Sequence, residues 1–162
     1  MALQWRGIAR AILAVVTGYA VSAVYLACSF LWAYFLLGED WVPPPASDEL
    51  WWKTATTTIV FEFMASCLGG FACAHIASRW RPVNVFAVME FVISLGLSVL
   101  LFSIERAEPG ETHFLEPPWM TFFEPFLSAA AILLGGLLAL GRPGRERRPR
   151  DGKLEAAMAP RA

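Results

Sequence analysis

The chain has 162 residues and a formal net charge of −1, and 57% of its residues are hydrophobic. These residues are concentrated in four long stretches, at residues 8–37, 51–77, 83–104 and 119–140. Each stretch supplies the roughly 20 apolar residues that a membrane-spanning helix needs. The composition therefore excludes a separate soluble domain, and we expect the lipid bilayer, rather than nucleic acid, to be the main partner.

The first stretch, residues 8–37, is longer than the apolar region of a signal peptide, which has only about 7–15 residues. As a helix it would measure about 45 Å, against a hydrocarbon core of about 30 Å. We therefore expect it to tilt or to project beyond the membrane. The prolines Pro43–Pro45 prevent its continuation, and Asp48 is a candidate N-cap for the second span.

The second and third spans are joined by the short turn Ser78–Pro82, which predicts that they are antiparallel neighbours. The predicted fold is all-α: a four-transmembrane-helix bundle in residues 1–140, followed by a disordered, basic cytoplasmic tail in residues 141–162. The arginines of this tail lie next to the membrane, where they would attract anionic lipid headgroups.

Charges are distributed unevenly between the predicted loops. Eleven of the thirteen Lys and Arg residues fall in the N-terminus, the 78–82 turn and the C-terminal tail, whereas the other two loops hold eight acidic residues. Basic flanks stay in the cytoplasm. We therefore expect a multi-pass protein of a bacterial inner membrane, with both termini cytoplasmic.

Small or polar residues recur every three or four positions in each span, as Gly18 and Ser22 do in the first. This spacing is typical of left-handed helix packing, and small residues let the backbones approach each other closely. The candidate helix-packing residues are the two glycine pairs of the second and fourth spans, Gly69, Gly70, Gly135 and Gly136.

Three spans repeat a glutamate followed four residues later by a serine, as in Glu62–Ser66, Glu90–Ser94 and Glu124–Ser128. The second and fourth spans also share a Gly-Gly pair at similar distances after a tryptophan. These similarities suggest two tandem helical hairpins, although common membrane constraints produce similar spans without duplication.

Glu62 and Glu90 are the candidate functional acids. Glu62 lies near the middle of its span, where an acid is costly and is by default a candidate functional group. Mirroring the two spans across the turn places Glu90 opposite Gly69 and Gly70. Glu124 is different, because Thr121 and Glu124 have capping-box spacing, which places Glu124 at a helix end.

The sequence leaves two roles open for Glu62. As a neutral carboxyl group it would hold the helices together through hydrogen bonds to the hydroxyl group of Tyr19, Tyr25, Ser66 or Ser98. As a group that exchanges a proton or binds a cation, it would drive transport. We expect no enzymatic activity, cofactor or metal, because His75 and His113 form no facing ligand pair and no nucleophile motif is present.

The layout resembles a loose group of small, uncharacterised four-span bacterial membrane proteins. The resemblance rests on the Pro-rich acidic first loop (Pro43–Asp48), the run Gly69–Ala77 and the Pro-Trp-Met entry to the fourth span (Pro118–Met120). This resemblance implies a topology and no assigned activity.

The sequence alone thus favours a structural or partner-binding membrane module, with a second copy of the chain or another membrane protein as candidate partner. The alternative is a small proton- or cation-linked transporter that uses Glu62 and Glu90.

Overall fold

The computed structural model of the protein describes residues 2–37, 48–107 and 118–141. They form four α-helices, which are α1 (Ala2–Leu37), α2 (Asp48–Ala77), α3 (Trp80–Ala107) and α4 (Pro118–Leu140). Each helix contains an apolar segment long enough to cross a membrane. The predicted all-α, four-helix fold is confirmed, and the chain is a multi-pass membrane protein. Most of the two predicted outer loops, at residues 38–47 and 108–117, and residues 142–162 of the predicted tail lie outside the described residues.

The helices extend beyond the predicted spans. At 1.5 Å per residue, the 36 residues of α1 measure about 54 Å, well above the roughly 30 Å of a hydrocarbon core. Large apolar side chains cover the outside of the bundle, including Val92 and Leu100 on α3, which are 60% and 55% exposed. An outer surface of this kind is suited to lipid, because the bilayer interior is as apolar as these side chains.

The link between α2 and α3 is anchored by the first helix. Ser78 adopts a left-handed conformation with φ of 56°, and its N–H donates to the Ala74 carbonyl at 2.8 Å, which ends α2. Arg10 of α1 then donates from Nε to the Ile76 carbonyl at 2.7 Å and from Nη2 to the Ser78 hydroxyl at 3.3 Å. A cation at a helix C-terminus also interacts favourably with the helix dipole, so Arg10 holds α1 against the end of α2.

The most extensive helix contact in the bundle is between α2 and α4. Next come α1 against α2 and α3 against α4, whereas α1 and α3 contact each other much less. The order around the bundle is therefore α1, α2, α4, α3. Although only two residues link α2 to α3, α3 packs mainly on α4, so the two linked helices have a smaller interface than the short turn suggested.

Buried apolar residues are concentrated at the end of the bundle near the α2–α3 link. We call this end the closed half, and its core consists of Ala14, Cys73, Ala74, Ala77, Val83, Phe86, Ala87 and Ile132. Aromatic packing supports the core, since the rings of Tyr19 and Phe86 lie 4.7 Å apart between centroids.

Glycines bring α2 and α4 together in the closed half. A Cβ atom added to Gly70 would overlap the backbone carbonyl of Ile132, and one added to Gly135 would overlap the backbone carbonyl of Cys67. At Gly136 an added Cβ would lie 2.6 Å from a Val83 methyl carbon. The helix backbones therefore touch directly, and at Gly70 and Gly135 there is no room for even one more carbon atom.

Gly69 does not face Glu90, as mirroring across the turn had suggested. It lies against α1, where an added Cβ would meet the Ser22 hydroxyl and the Gly18 carbonyl, and its α3 neighbour is the Phe86 ring, one turn before Glu90. Since Gly70 faces Ile132 of α4, the space opposite the glycine pair is occupied by α1, α4 and Phe86. The placement of Glu90 opposite Gly69 and Gly70 was therefore wrong.

Candidate functional site

A cavity of about 410 Å³ lies among the four helices, next to the closed half and on the side away from the α2–α3 link. We call it the glutamate cavity. All four helices contribute to its lining, which includes three glutamates, five serines and one tyrosine. These polar residues are Tyr19, Ser22, Glu62, Ser66, Glu90, Ser94, Ser98, Glu124 and Ser128.

The three Glu-x-x-x-Ser pairs of the sequence all line this one cavity. Residues four apart share a helix face, so each glutamate and its serine point the same way. On α2 the same face continues four residues later to Gly70, and on α4 the face of Ser128 continues seven residues later to Gly135. The face that carries glutamate and serine at the cavity thus carries glycine in the closed half. The helices touch where the side chain is absent, and they leave a space where it is present.

Glu90 is positioned by its own helix and by α1. The Ser94 hydroxyl donates to Oε1 of Glu90 at 3.2 Å, and the Ser98 hydroxyl in turn donates to the Ser94 carbonyl at 2.9 Å. The buried phenol oxygen of Tyr19 lies near enough to Glu90 to interact electrostatically, but it has no hydrogen bond of ordinary length. Glu90 is therefore held by Ser94 of its own helix and faces the cavity beside the Tyr19 hydroxyl group.

Glu62 is partly buried at the same level of the bundle. Next to it, the Ser22 hydroxyl of α1 donates to the Ala65 carbonyl of α2 at 2.9 Å. This bond fixes the wall between α1 and α2 and places Ser22 in the lining. Tyr19 and Ser22 thus join the glutamates in the cavity. Ser22 belongs to the 3–4 spacing of small and polar residues in α1, but nothing in the sequence distinguished it as a site residue. Tyr19 was predicted only as one of the hydroxyl groups that could hydrogen-bond Glu62.

The position of Glu124 differs most clearly from the one predicted from the sequence. The capping-box spacing of Thr121 and Glu124 predicted a helix end, but α4 begins at Pro118, and Pro125 lies inside the helix. Glu124 is therefore almost two turns into α4, where it lines the cavity together with Pro125 and Ser128. The Glu-x-x-x-Ser repeat was the signal for this role, and the capping motif was misleading because Pro118 starts the helix earlier.

The glutamates surround the cavity instead of converging on one point. Within residues 2–37, 48–107 and 118–141, no group of three acidic, histidine or cysteine side chains is close enough to hold a metal ion. Phe91 and Phe126, with ring centroids 4.9 Å apart, pack α3 against α4. The arrangement offers several separated carboxyl and hydroxyl oxygens to one space, which suits protons or a cation larger than a single metal ion.

Comparisons of the chain with protein-family models, with curated proteins and with solved structures give no match. The resemblance to small four-span bacterial proteins consequently stays a prediction that rests on short motifs.

Proposed function

We propose that the chain is a non-enzymatic protein of a bacterial inner membrane that binds protons and cations in the glutamate cavity, as a small proton- or cation-linked transporter. The observation that supports this function is that Glu62, Glu90 and Glu124, from three helices, line one polar space within the membrane-spanning bundle. Acids at such depth are rare in membrane helices and mark ion and proton pathways.

The charges of the cavity indicate which kind of ligand it binds. Three carboxylates around one space of low dielectric constant repel each other strongly unless protons or a cation neutralise them. The five serine hydroxyls and the Tyr19 hydroxyl can orient toward either form of a carboxyl group, since a hydroxyl both donates and accepts. The carboxyl groups can therefore release protons and bind a cation in their place, while the hydroxyl groups continue to hydrogen-bond their oxygens.

The volume favours a small organic cation as the transported species. Binding sites for small molecules typically measure about 300–1,000 Å³, and the cavity, at about 410 Å³, falls within this range.

The test is carboxyl titration by infrared difference spectroscopy on the purified protein in lipid nanodiscs. Ordinary carboxylates are already ionised over most of the range from about pH 5 to 9, so a protonated carboxyl band there reports buried acids. We expect a band that loses intensity as the pH rises, and that weakens in Glu62→Gln while the helix content is unchanged. The matched control is Glu155→Gln, in the polar C-terminal segment, which should leave the band unaltered.

The competing function is the structural or partner-binding module that the sequence alone favoured. The bond from Ser22 of α1 to Ala65 of α2 supports it, because hydrogen bonds between helices hold a membrane bundle together. In that case the carboxyl band stays protonated across the whole pH range, and Glu62→Gln retains both folding and cellular phenotype. That outcome would exclude the transporter.

The proposed orientation places both termini in the cytoplasm, with residues 43–49 and 105–118 on the outside. It is supported by the charge segregation between the loops. Reporter fusions after Leu140 and within residues 106–116 test it, and we expect cytoplasmic-type activity from the first and periplasmic-type activity from the second. Periplasmic-type activity after Leu140 would invert the topology.

A further inference from the structure

The glutamate cavity has an exposed side, which lies between α1 and α3. The lining residues Ala65, Ser66 and Ser128, from α2 and α4, are buried, so these two helices form a closed back wall. On the opposite side, Leu97 and Leu101 of α3 line the cavity and are nevertheless 53% and 44% exposed.

The residues of α1 on this side of the cavity are also apolar and at least partly exposed. Ala23 lines the cavity and is exposed, and Leu26 beside it is only partly buried. Of the neighbouring pairs around the bundle, α1 and α3 also have the smallest interface. We call this side of the cavity the lateral mouth, formed by Ala23, Leu26, Leu97 and Leu101.

The interior and the lateral mouth differ in chemistry. The interior carries carboxyl and hydroxyl groups, whereas the mouth consists of one alanine and three leucines. A strongly hydrated ion gains nothing from such a mouth, because it would have to shed its water against leucine side chains. A ligand with a cationic head and an apolar tail matches both regions, with its tail remaining among the leucines and the lipid.

We infer that the ligand of the glutamate cavity is an amphipathic organic cation, a single-chain alkylammonium, that enters from the bilayer through the lateral mouth. This inference rests on the proposed cation-binding function and names its substrate class and its route. The head binds among Glu62, Glu90 and Glu124, and the alkyl tail passes between Leu26 and Leu97. A zwitterionic phospholipid fits less well, because its phosphate would lie beside the three carboxyl groups.

The experiment uses the full-length protein in nanodiscs and two probes. Tetramethylammonium has the cationic head alone, and octyltrimethylammonium with a diazirine at the end of its tail adds the apolar part. Each probe is added while the carboxyl bands are recorded, which reports the head. After irradiation, mass spectrometry locates the tail. We expect both probes to change the carboxyl bands, and the label to fall on Leu26, Leu97 or Leu101 and to be displaced by unlabelled octyltrimethylammonium.

A matched pair of variants tests the route. Ala23 and Ala27 are both exposed on α1, one turn apart, but only Ala23 lines the cavity. We expect Ala23→Phe to lower displaceable labelling by on the order of tenfold, equivalent to about 1.4 kcal/mol of binding free energy. Ala27→Phe should leave the labelling unchanged.

The possible outcomes distinguish failure of the inferred entry route from failure of the cation-binding function on which it rests. Carboxyl bands that respond to both probes, with labelling confined to outward-facing residues such as Val60 and Val92, would overturn the lateral mouth and leave cation binding intact. Equal effects of Ala23→Phe and Ala27→Phe would do the same. If neither probe changes the carboxyl bands, the cation-binding function fails as well.

Discussion

The closed half and the glutamate cavity are built on the same four helices, but they use different side chains on the same faces. On α2 one face carries Glu62 and Ser66 at the cavity and Gly70 in the closed half. On α4 the corresponding residues are Ser128 and Gly135. The glycines bring the backbones into contact, whereas the larger polar side chains leave a space. Within one bundle, side-chain size therefore determines where the helix backbones are in contact and where they leave space for a ligand.

The two regions also differ in their expected roles, since the closed half stabilises the fold and the cavity binds the ligand. The core of the closed half is apolar, with Val83, Phe86 and Ile132 fully buried, so it offers nothing to a charged ligand. The cavity holds the three glutamates and contributes less packing. Changes in the closed half should therefore act on stability, and changes in the cavity should act mainly on binding.

The largest effect is expected from an added methyl group at the contact between α2 and α4. In Gly135→Ala the new Cβ would overlap the Cys67 carbonyl, which belongs to a helix backbone and cannot move alone. We expect a loss of about 3 kcal/mol in the free energy of unfolding in detergent, the upper part of the usual range for overpacking.

Gly96→Ala is the matched control, because an added Cβ at Gly96 meets nothing within 4 Å. Alanine is the better helix former, so this variant should be neutral or more stable, by at most about 1 kcal/mol. Equal stabilities of the Gly135 and Gly96 variants would show that the two halves do not differ in packing.

A smaller effect is expected where the obstacle is a side chain. At Gly136 the added Cβ would meet a methyl carbon of Val83 at 2.6 Å, and this side chain can shift more readily than a helix backbone. We expect Gly136→Ala to cost about 1 kcal/mol, at the low end of overpacking. Thermal unfolding of both variants in detergent compares this loss of stability with that of Gly135→Ala. A cost as large as that at Gly135 would mean that Val83 cannot adjust.

The contact of Arg10 with the end of α2 should contribute moderately to the stability of the closed half. Arg10→Ala removes the hydrogen bonds to the Ile76 carbonyl and the Ser78 hydroxyl, both of which are exposed. We expect a loss of about 1 kcal/mol in unfolding free energy, typical of one net hydrogen bond. Arg6→Ala, at an exposed position one turn earlier on the same helix, is the control. An equal loss in both variants would assign the effect to charge and not to the contact.

The smallest effect on stability is expected in the cavity. Ser94→Thr also adds one methyl group, but it keeps the hydroxyl that donates to Glu90, and it lies beside about 410 Å³ of free space. We expect the unfolding free energy to change by less than about 0.5 kcal/mol, while the response to octyltrimethylammonium is reduced. Destabilisation as large as that of Gly135→Ala would mean that this space is closed in solution.

The fold was largely predictable from the sequence, because each span is long and continuously apolar. The bounds were less accurate. For example, α1 begins at Ala2 and α4 at Pro118, since polar or capping residues near a helix end do not by themselves start or stop it.

The site was predictable in part. The spacing of Glu62–Ser66, Glu90–Ser94 and Glu124–Ser128 placed each pair on one face, and the structure brings the three faces together at one cavity. The sequence could not show which helices face each other, because α2 packs mainly on α4, more than 40 residues away along the chain. For the same reason the contribution of Ser22 was not visible, whereas Tyr19 was predicted as one possible hydroxyl partner of Glu62 and lines the same cavity.

The dominance of the α2–α4 interface has a consequence for biosynthesis. The anchor formed by Arg10, Ile76 and Ser78 needs only the first two helices and the residue that follows them, so that hairpin can close as soon as it has left the ribosome. The back wall of the cavity, in contrast, needs α4, which is synthesised after the other three described helices and supplies Glu124. Until α4 is inserted, α2 exposes Glu62 and Ser66 without that wall. The glutamate cavity is thus completed last during membrane insertion, which makes α4 the element on which the quality control of a newly made chain would depend.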